Sequence, residues 1–171
     1  LLILGIFGVV IVAAKDPGCE VPILVSTGGP VPHNPHTLAI RWTGYSNFEL
    51  TYKGYVILLD AYFDRGSTYT PLGFKAADIK KADVILIGHA HFDHMGNLNA
   101  FPNATFYIQE RELSKWVWTM TLDRRFRWLM GGVDPADVLR LVDLATKGRL
   151  VAVDGNRENV VPGIDLHAAY D

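Results

Sequence analysis

Apolar residues along this chain fall into short runs that end at polar or turn-forming residues, which is the pattern of strands buried in a sheet. The runs at residues 56–59 and 84–87 are apolar at every position, so we predict that both are central strands covered on two faces. Residues 52–55 have the composition of a hairpin turn that leads into the first of these runs. The predicted strands comprise residues 37–42, 48–50, 56–59, 84–87, 104–108, 150–153 and 164–170.

Helical spacing of apolar residues separates several of these strands. It predicts a short helix at residues 74–82 and a long helix at residues 109–130. Asp134 and Pro135 are typical of an N-cap and a first helical position, and the helix that they begin should end at Gly148. Strands that alternate with helices indicate an α/β layer. Because two of the apolar strands end at ionisable residues, we expect the chemistry along one edge of the sheet.

The beginning of the chain has a different composition. Residues 1–14 are apolar or glycine without interruption, and residues 15–18 break the run. We expect residues 1–18 to be a signal-peptide core or the remnant of a membrane anchor, with a buried strand or helix as the alternative. The protein would then be exported or membrane-anchored, and otherwise cytoplasmic. Residues 19–36 are rich in Pro and Gly and predict a linker, and residues 37–171 predict the folded domain.

Composition and charge narrow the function classes. The 171 residues are 49% hydrophobic and 20% charged, as in an ordinary globular protein with a sizeable core. A net charge of −2 leaves no broad basic surface, which excludes nucleic acid as the main partner. The chain has one cysteine, Cys19, which cannot form an internal disulfide.

One hexapeptide directly after the strand at residues 84–87 carries the strongest chemical signal. Its sequence is His89-Ala90-His91-Phe92-Asp93-His94. Two histidines that are two positions apart on an extended segment point the same way, so His89 and His91 can bind one ion together. The turn that follows lets Asp93 and His94 face a second ion. Imidazole and carboxylate donors without cysteine favour a catalytic zinc site over a structural one.

The spacing of these four residues resembles the His-x-His-x-Asp-His signature of the metallo-β-lactamase superfamily. The resemblance implies an αββα sandwich and two zinc ions, with Mn²⁺ or Fe²⁺ as alternatives. It also implies that Asp60, at the end of the strand at residues 56–59, orients a histidine ligand. Asp93 would be catalytic as well as a ligand, because it can take part in passing a proton to the leaving group.

The two halves of the chain resemble different branches of that superfamily. Residues 40–94 resemble the ascorbate-phosphate-lactonase-like metal-dependent hydrolases, and residues 95–171 resemble the N-acyl homoserine lactonase branch. The superfamily uses another histidine, an aspartate and a last histidine further along the chain. We therefore expect the sandwich to be incomplete at its C-terminus. His167 is the nearest substitute ligand, but its place on an alternating strand favours a solvated side chain.

These observations predict a metal-dependent hydrolase that uses metal-bound hydroxide on a small-molecule substrate, a lactone or another ester. The alternatives are a phosphodiesterase-type metallohydrolase and an inactive, truncated metal-binding fragment. An incomplete sandwich exposes apolar sheet surface, so we also expect self-association, in addition to membrane anchoring through the N-terminus.

Overall fold

The computed structural model describes residues 24–64 and 66–169, in which strands and helices alternate. The strands are β1 (Ala39–Gly44), β2 (Asn47–Tyr52), β3 (Tyr55–Leu59), β4 (Val84–Ile87), β5 (Thr105–Gln109), β6 (Leu150–Val153), β7 (Arg157–Val161) and β8 (Ile164–Leu166). The α-helices are α1 (Phe92–Met95), α2 (Glu110–Thr121) and α3 (Pro135–Thr146). Short 3-10 helices cover Val25–Thr27, Ala76–Asp78, Leu98–Ala100 and Arg124–Met130. Within these described ranges, no helix is both long enough and apolar enough to cross a membrane.

Six strands form the central sheet in the order β1-β2-β3-β4-β5-β6. The first three are antiparallel, and the hairpin between β2 and β3 turns at Lys53 and Gly54, which both have positive φ, at 48° and 81°. The strands β3 to β6 are parallel, so their carboxyl ends share one edge of the sheet. The predicted strands of this sheet and the hairpin turn are confirmed.

The central sheet is covered on both faces. One face packs against the helices through a buried cluster that includes Ile85 and Phe106 of the sheet and Trp116 and Leu141 of α2 and α3. The other face packs against the two-stranded sheet β7-β8 through a second cluster that includes Val161. Layers of helices, large sheet and small sheet confirm the predicted α/β fold, in the arrangement expected for a metallo-β-lactamase-like sandwich.

The helix predicted at residues 74–82 is wrong except for the single turn at Ala76–Asp78. Residues further along form their hydrogen bonds elsewhere, because the backbone amides of Lys80 and Lys81 donate to the carbonyl of Ser26. The apolar side chains of Phe74, Ile79 and Ala82 in this segment pack against the main core cluster. The apolar spacing of the segment does not reflect helical backbone.

The helix predicted at residues 109–130 is two helices with a break between them. α2 ends at Thr121, Leu122 is extended, and the 3-10 helix Arg124–Met130 begins after it. Asp123 accepts a hydrogen bond from the amide of Arg125, so it caps the second helix and ends the continuous pattern. The helix that begins at Asp134 is confirmed, and Gly148 follows it with a φ of 67°.

The strand predicted at residues 164–170 is shorter than expected. β8 ends at Leu166 and pairs with β7, a strand that the sequence pattern does not predict. After Leu166, the amide of Ala168 donates to the side chain of Asn156 and not to a neighbouring strand.

Part of the predicted linker at residues 19–36 belongs to the folded unit. The buried amides of Val25 and Ser26 donate to the carboxylate of Glu49, at 2.9 and 2.8 Å. Glu49 lies on β2 and is fully buried. The predicted signal or anchor segment at residues 1–18 lies outside the described residues, and the division of the chain into three segments stays a prediction.

Candidate metal centre

Three donor groups meet where β4 ends at the carboxyl edge of the sheet. One ligand atom from each of His89, His91 and Asp93 lies within 4.8 Å of the other two. The rings of His89 and His91 have centroids 4.6 Å apart and are nearly perpendicular, at 81°. All three residues are half-buried, so they face a partly open space. The spacing of the hexapeptide predicts that His89 and His91 lie together, but it assigns Asp93 to a second ion with His94.

Asp60 connects this edge of the sheet to the fourth residue of the motif. Its Oδ2 lies 2.7 Å from Nδ1 of His94, and its Oδ1 accepts a hydrogen bond of 2.8 Å from the amide of Gly88. The carboxylate is buried, and the backbone of Asp60 has a φ of 61°, which L-residues other than Asn and Asp rarely adopt. Ser46 adds a second contact, with its Oγ 3.3 Å from the same Nδ1.

The surroundings of His94 and His89 shift their pKa values in opposite directions. Burial opposes a charge on His94, but the hydrogen bond and the negative charge of Asp60 outweigh burial and raise the pKa of His94. For His89, burial lowers the pKa, and the neighbouring imidazoles of His94 and His91 lower it further. His89 is therefore neutral at pH 7, the form in which an imidazole nitrogen can bind a metal.

The donor set fits a divalent metal ion. Two imidazoles and one carboxylate are the three protein ligands of many catalytic zinc sites. The low pKa of His89 keeps its lone pair available, and Asp60 has the position of an outer carboxylate that fixes a histidine. The residues that would hold a first ion are His89, His91 and Asp93.

The division of ligands between two ions differs from the simplest expectation. The sequence pattern assigns Asp93 and His94 to the second ion. In the structure, a ligand atom of Asp93 instead lies near those of His89 and His91. Asp93 also approaches His94, because its Oδ2 lies 3.9 Å from His94 Nε2. Asp93 therefore approaches both the His89–His91 pair and His94, and the ring centroids of His89 and His94 are 3.7 Å apart. The roles of all four residues stay predictions.

His167 does not join this group. Its side chain is exposed, and it lines a cavity of about 290 Å³ together with Asp60 and Gly88. Among the residues that the structure describes, the metal-binding cluster consists of His89, His91 and Asp93 without it. The geometry thus gives no support to His167 as a ligand.

Two residues of α2 contact the motif: Glu112 is not predicted from the sequence, and Trp116 is expected as an aromatic anchor that packs in the core or lines the substrate site. Glu112 Oε1 accepts hydrogen bonds from the amide of Ala90 at 2.8 Å and from Nε1 of Trp116 at 2.6 Å. Both residues line a polar cavity of about 510 Å³ that His89 and His91 also face. Their spacing of four positions on one helix face, just after a strand, is the signal that could have found them.

Curated relatives match part of the chain. A UPF0173 metal-dependent hydrolase of Haloquadratum walsbyi is 34% identical over 68 residues, which are 40% of this chain and 27% of that protein. A UPF0173 metal-dependent hydrolase of Koribacter versatilis is 43% identical over 61 residues, which are 35% of this chain and 25% of that protein. The chain spans about a quarter of the length of these curated relatives.

Solved structures resemble this chain with lower sequence identity than the curated relatives do. The hydrolase AbOPH of the beta lactamase superfamily has a TM-score of 0.48 and 23% identity, with 63% of this chain and 42% of that chain covered. AidC, a dizinc quorum-quenching lactonase, has a TM-score of 0.46 and 22% identity, with 67% and 44% covered. Similarity at these scores supports no conclusion about the substrate or the metal of this chain.

A family-wide match covers most of the chain. The sequence model of the metallo-beta-lactamase superfamily matches residues 41–170, a range that includes β2 to β8 and the whole histidine motif. The chain belongs to the metallo-beta-lactamase superfamily.

Proposed function

We propose that this chain provides the metal-binding part of a hydrolase that cleaves a lactone or another ester. The observation that carries the proposal is the group of His89, His91 and Asp93, with ligand atoms within 4.8 Å of one another at the carboxyl ends of parallel strands. Zn²⁺ suits these donors best, with two ions as the expected number and Mn²⁺ or Fe²⁺ as alternatives. When bound, such an ion lowers the pKa of water and polarises a carbonyl oxygen.

Residues of the chain itself would orient the ligands, transfer the proton and bind the substrate. Asp60 holds His94 by its Nδ1, which leaves Nε2 directed toward Asp93. Asp93 Oδ2 is partly accessible, so it can hold a proton and pass it to a leaving oxygen. The polar cavity beside His89 and His91 offers about 510 Å³, enough for a small-molecule substrate. Lactone or ester cleavage is favoured by the sequence resemblance of residues 95–171 to lactonases.

A second candidate substrate class is a phosphodiester. Arg111 and Lys115 of α2 line the same cavity as His89 and His91. Cationic side chains beside a metal site favour an anionic substrate group. The two substrate classes separate in one assay panel: a γ-lactone and a p-nitrophenyl ester against bis-p-nitrophenyl phosphate.

The test combines metal content with hydrolysis. After dialysis against buffer without chelator, we expect the wild-type chain to retain about one equivalent of zinc or more and the double variant H89A/H91A to lose it. His36→Ala is the matched control, because His36 is exposed in the loop before β1. Metal content is measured by inductively coupled plasma mass spectrometry.

Two results would count against the proposal. Wild-type zinc well below one equivalent supports the alternative of an inactive metal-binding fragment. Zinc retention without turnover of any substrate in the panel contradicts hydrolysis by this chain while leaving metal binding intact.

A further inference from the structure

Three alternate backbone amides around His89 and His91 donate hydrogen bonds to other parts of the chain. The amide of Gly88 donates to Asp60 Oδ1 at 2.8 Å, that of Ala90 to Glu112 Oε1 at 2.8 Å, and that of Phe92 to the carbonyl of Gly132 at 2.9 Å. Along the chain, His89 lies between the amides of Gly88 and Ala90, and His91 lies between those of Ala90 and Phe92, the first residue of α1. His89 and His91 therefore lie between three fixed points, and the middle point is a side chain of α2.

Glu112 is itself fixed by its surroundings. The same Oε1 that accepts from Ala90 also accepts from Nε1 of Trp116, one helical turn further along α2. Trp116 is 5% exposed, and its ring centroid lies 6.1 Å from that of His91. Ala90 is fully buried, whereas Glu112 is half-buried and also lines the polar cavity beside the motif. The contact between α2 and the motif is thus a partly buried hydrogen bond in which the amide of Ala90 donates and the carboxylate of Glu112 accepts.

From this geometry we infer that Glu112 is a positioning residue of the metal site. By holding the amide between His89 and His91, it fixes the separation of the two imidazoles, and Trp116 in turn fixes the carboxylate. A negative charge at this position also stabilises a cation among the imidazoles. The inference depends on the proposed function only in that the imidazoles bind a metal ion. Outer groups that orient metal ligands typically contribute about 10–100-fold in affinity.

Three substitutions separate the hydrogen bond from the charge. Glu112→Ala removes both. Glu112→Gln removes the charge but keeps an Oε1 that can accept from Ala90 and Trp116. Trp116→Phe keeps an aromatic ring and removes the donor that fixes the carboxylate. Glu110→Ala is the matched control, since Glu110 is an exposed glutamate in the first turn of the same helix.

The readouts are the zinc dissociation constant, from competition with a chromophoric chelator, and the visible absorption of the Co²⁺-loaded chain. Relative to Glu110→Ala, we expect Glu112→Ala to bind zinc about 10–100-fold more weakly. Its Co²⁺ bands should change in position and intensity, because they report the arrangement of the ligands. Glu112→Gln should restore most of the affinity and the wild-type spectrum. Circular dichroism checks that each variant is folded.

Several outcomes would overturn the inference. One is a Glu112→Ala variant with the zinc affinity and Co²⁺ spectrum of the control. Another is a Glu112→Gln variant as weak as Glu112→Ala, which would assign the effect to charge and not to position. If Glu112→Ala does not fold, Trp116→Phe takes its place, and an unchanged affinity and spectrum would then decide against positioning. A wild-type chain that binds no zinc contradicts both this inference and the proposed function, whereas wild-type binding without sensitivity to Glu112 contradicts the inference alone.

Discussion

Asp60 shows how one residue can serve both the fold and the site. Its amide donates to the carbonyl of Leu86, and its two carboxylate oxygens contact Gly88 and His94. These contacts hold it in a left-handed conformation that costs most L-residues about 1–2 kcal/mol. Asp tolerates this conformation because its short polar side chain can form local hydrogen bonds. The left-handed backbone of Asp60, directly after β3, thus places a carboxylate against His94 beside the candidate metal centre.

The substitution Asp60→Asn tests the charge of this carboxylate. Asparagine tolerates the same backbone and can still form hydrogen bonds, so the fold should be kept. In the metal-free chain, we expect the pKa of His94 to fall, because the negative charge that stabilises its imidazolium is lost. Histidine titration by NMR measures the change, with Asp154→Asn as the control at an exposed aspartate after β6. An unchanged pKa of His94 would contradict the contact.

At the scale of elements, helix α3 carries two carboxylates near its N-terminus that have opposite effects on its stability. Asp134 accepts a hydrogen bond of 2.8 Å from the amide of Ala136 and caps the helix. Asp137 lies one turn further along, where burial and then the charge of Asp134 raise its pKa from 3.8 to about 6. The first carboxylate stabilises the helix, whereas the second is destabilised by its surroundings when it is ionised.

The substitution Asp137→Asn should therefore stabilise the chain at neutral pH. Since the folded state binds the proton of Asp137 more tightly than the unfolded state does, stability falls as pH rises from about 4 to about 6. At pH 7 we expect the variant to gain about 1 kcal/mol in the free energy of unfolding, because solvent screens the half-buried Asp137 and the helix N-terminus stabilises its ionised form. Urea unfolding of the wild type and the variant at pH 4 and pH 7 measures the difference in the free energy of unfolding at each pH.

Asp134→Ala is the paired control and should have the opposite sign. Loss of the N-cap lowers the free energy of unfolding by about 1 kcal/mol. If Asp137→Asn destabilises the chain at pH 7 as Asp134→Ala does, the raised pKa of Asp137 is contradicted.

At the scale of the whole molecule, Glu49 ties the segment before β1 to the central sheet. Its fully buried carboxylate accepts from the amides of Val25 and Ser26 and lies 3.4 Å from Arg41. The 3-10 helix Val25–Thr27 in turn supplies the carbonyl of Ser26 to residues 80 and 81, before β4. One carboxylate thus joins three parts of the chain that are distant in sequence.

Removal of this carboxylate should weaken the whole fold. Glu49→Ala leaves two buried amides without an acceptor and Arg41 without its partner, so we expect a loss of about 2–4 kcal/mol in the free energy of unfolding. Limited proteolysis should also cut at residues 24–29 more readily than in the wild type. Glu158→Ala, at an exposed position of β7, is the control. Equal stability and equal protease resistance in the two variants would contradict this account of Glu49.

Self-association of the whole molecule stays a prediction. Membrane anchoring and the cellular location of the protein stay predictions as well. The edge strand β1 exposes Ile40 by 60% and Trp42 by 68%. Large apolar side chains on an edge strand favour contact with another chain.

The amino-acid sequence by itself indicated the strands of the central sheet, the α3 helix and the hexapeptide with the candidate metal ligands. These features are local, since burial on two faces, helix capping and ligand spacing are each encoded within a few consecutive residues. Two further expectations, the αββα sandwich and the role of Asp60 in orienting a histidine, came from the resemblance of the motif to a known superfamily.

Tertiary structure alone decided which distant side chains meet. The carboxylates of Glu49 and Glu112 accept hydrogen bonds from amides 24 and 22 positions away, and the packing of α2 places the ring of Trp116 6.1 Å from that of His91. Such contacts depend on strand order and on the packing of α2 against the sheet, which the local pattern of apolar and polar residues does not encode. The sequence thus indicated the candidate metal ligands, and only the packing of the chain brought Asp60 to His94 and Glu112 to the amide of Ala90.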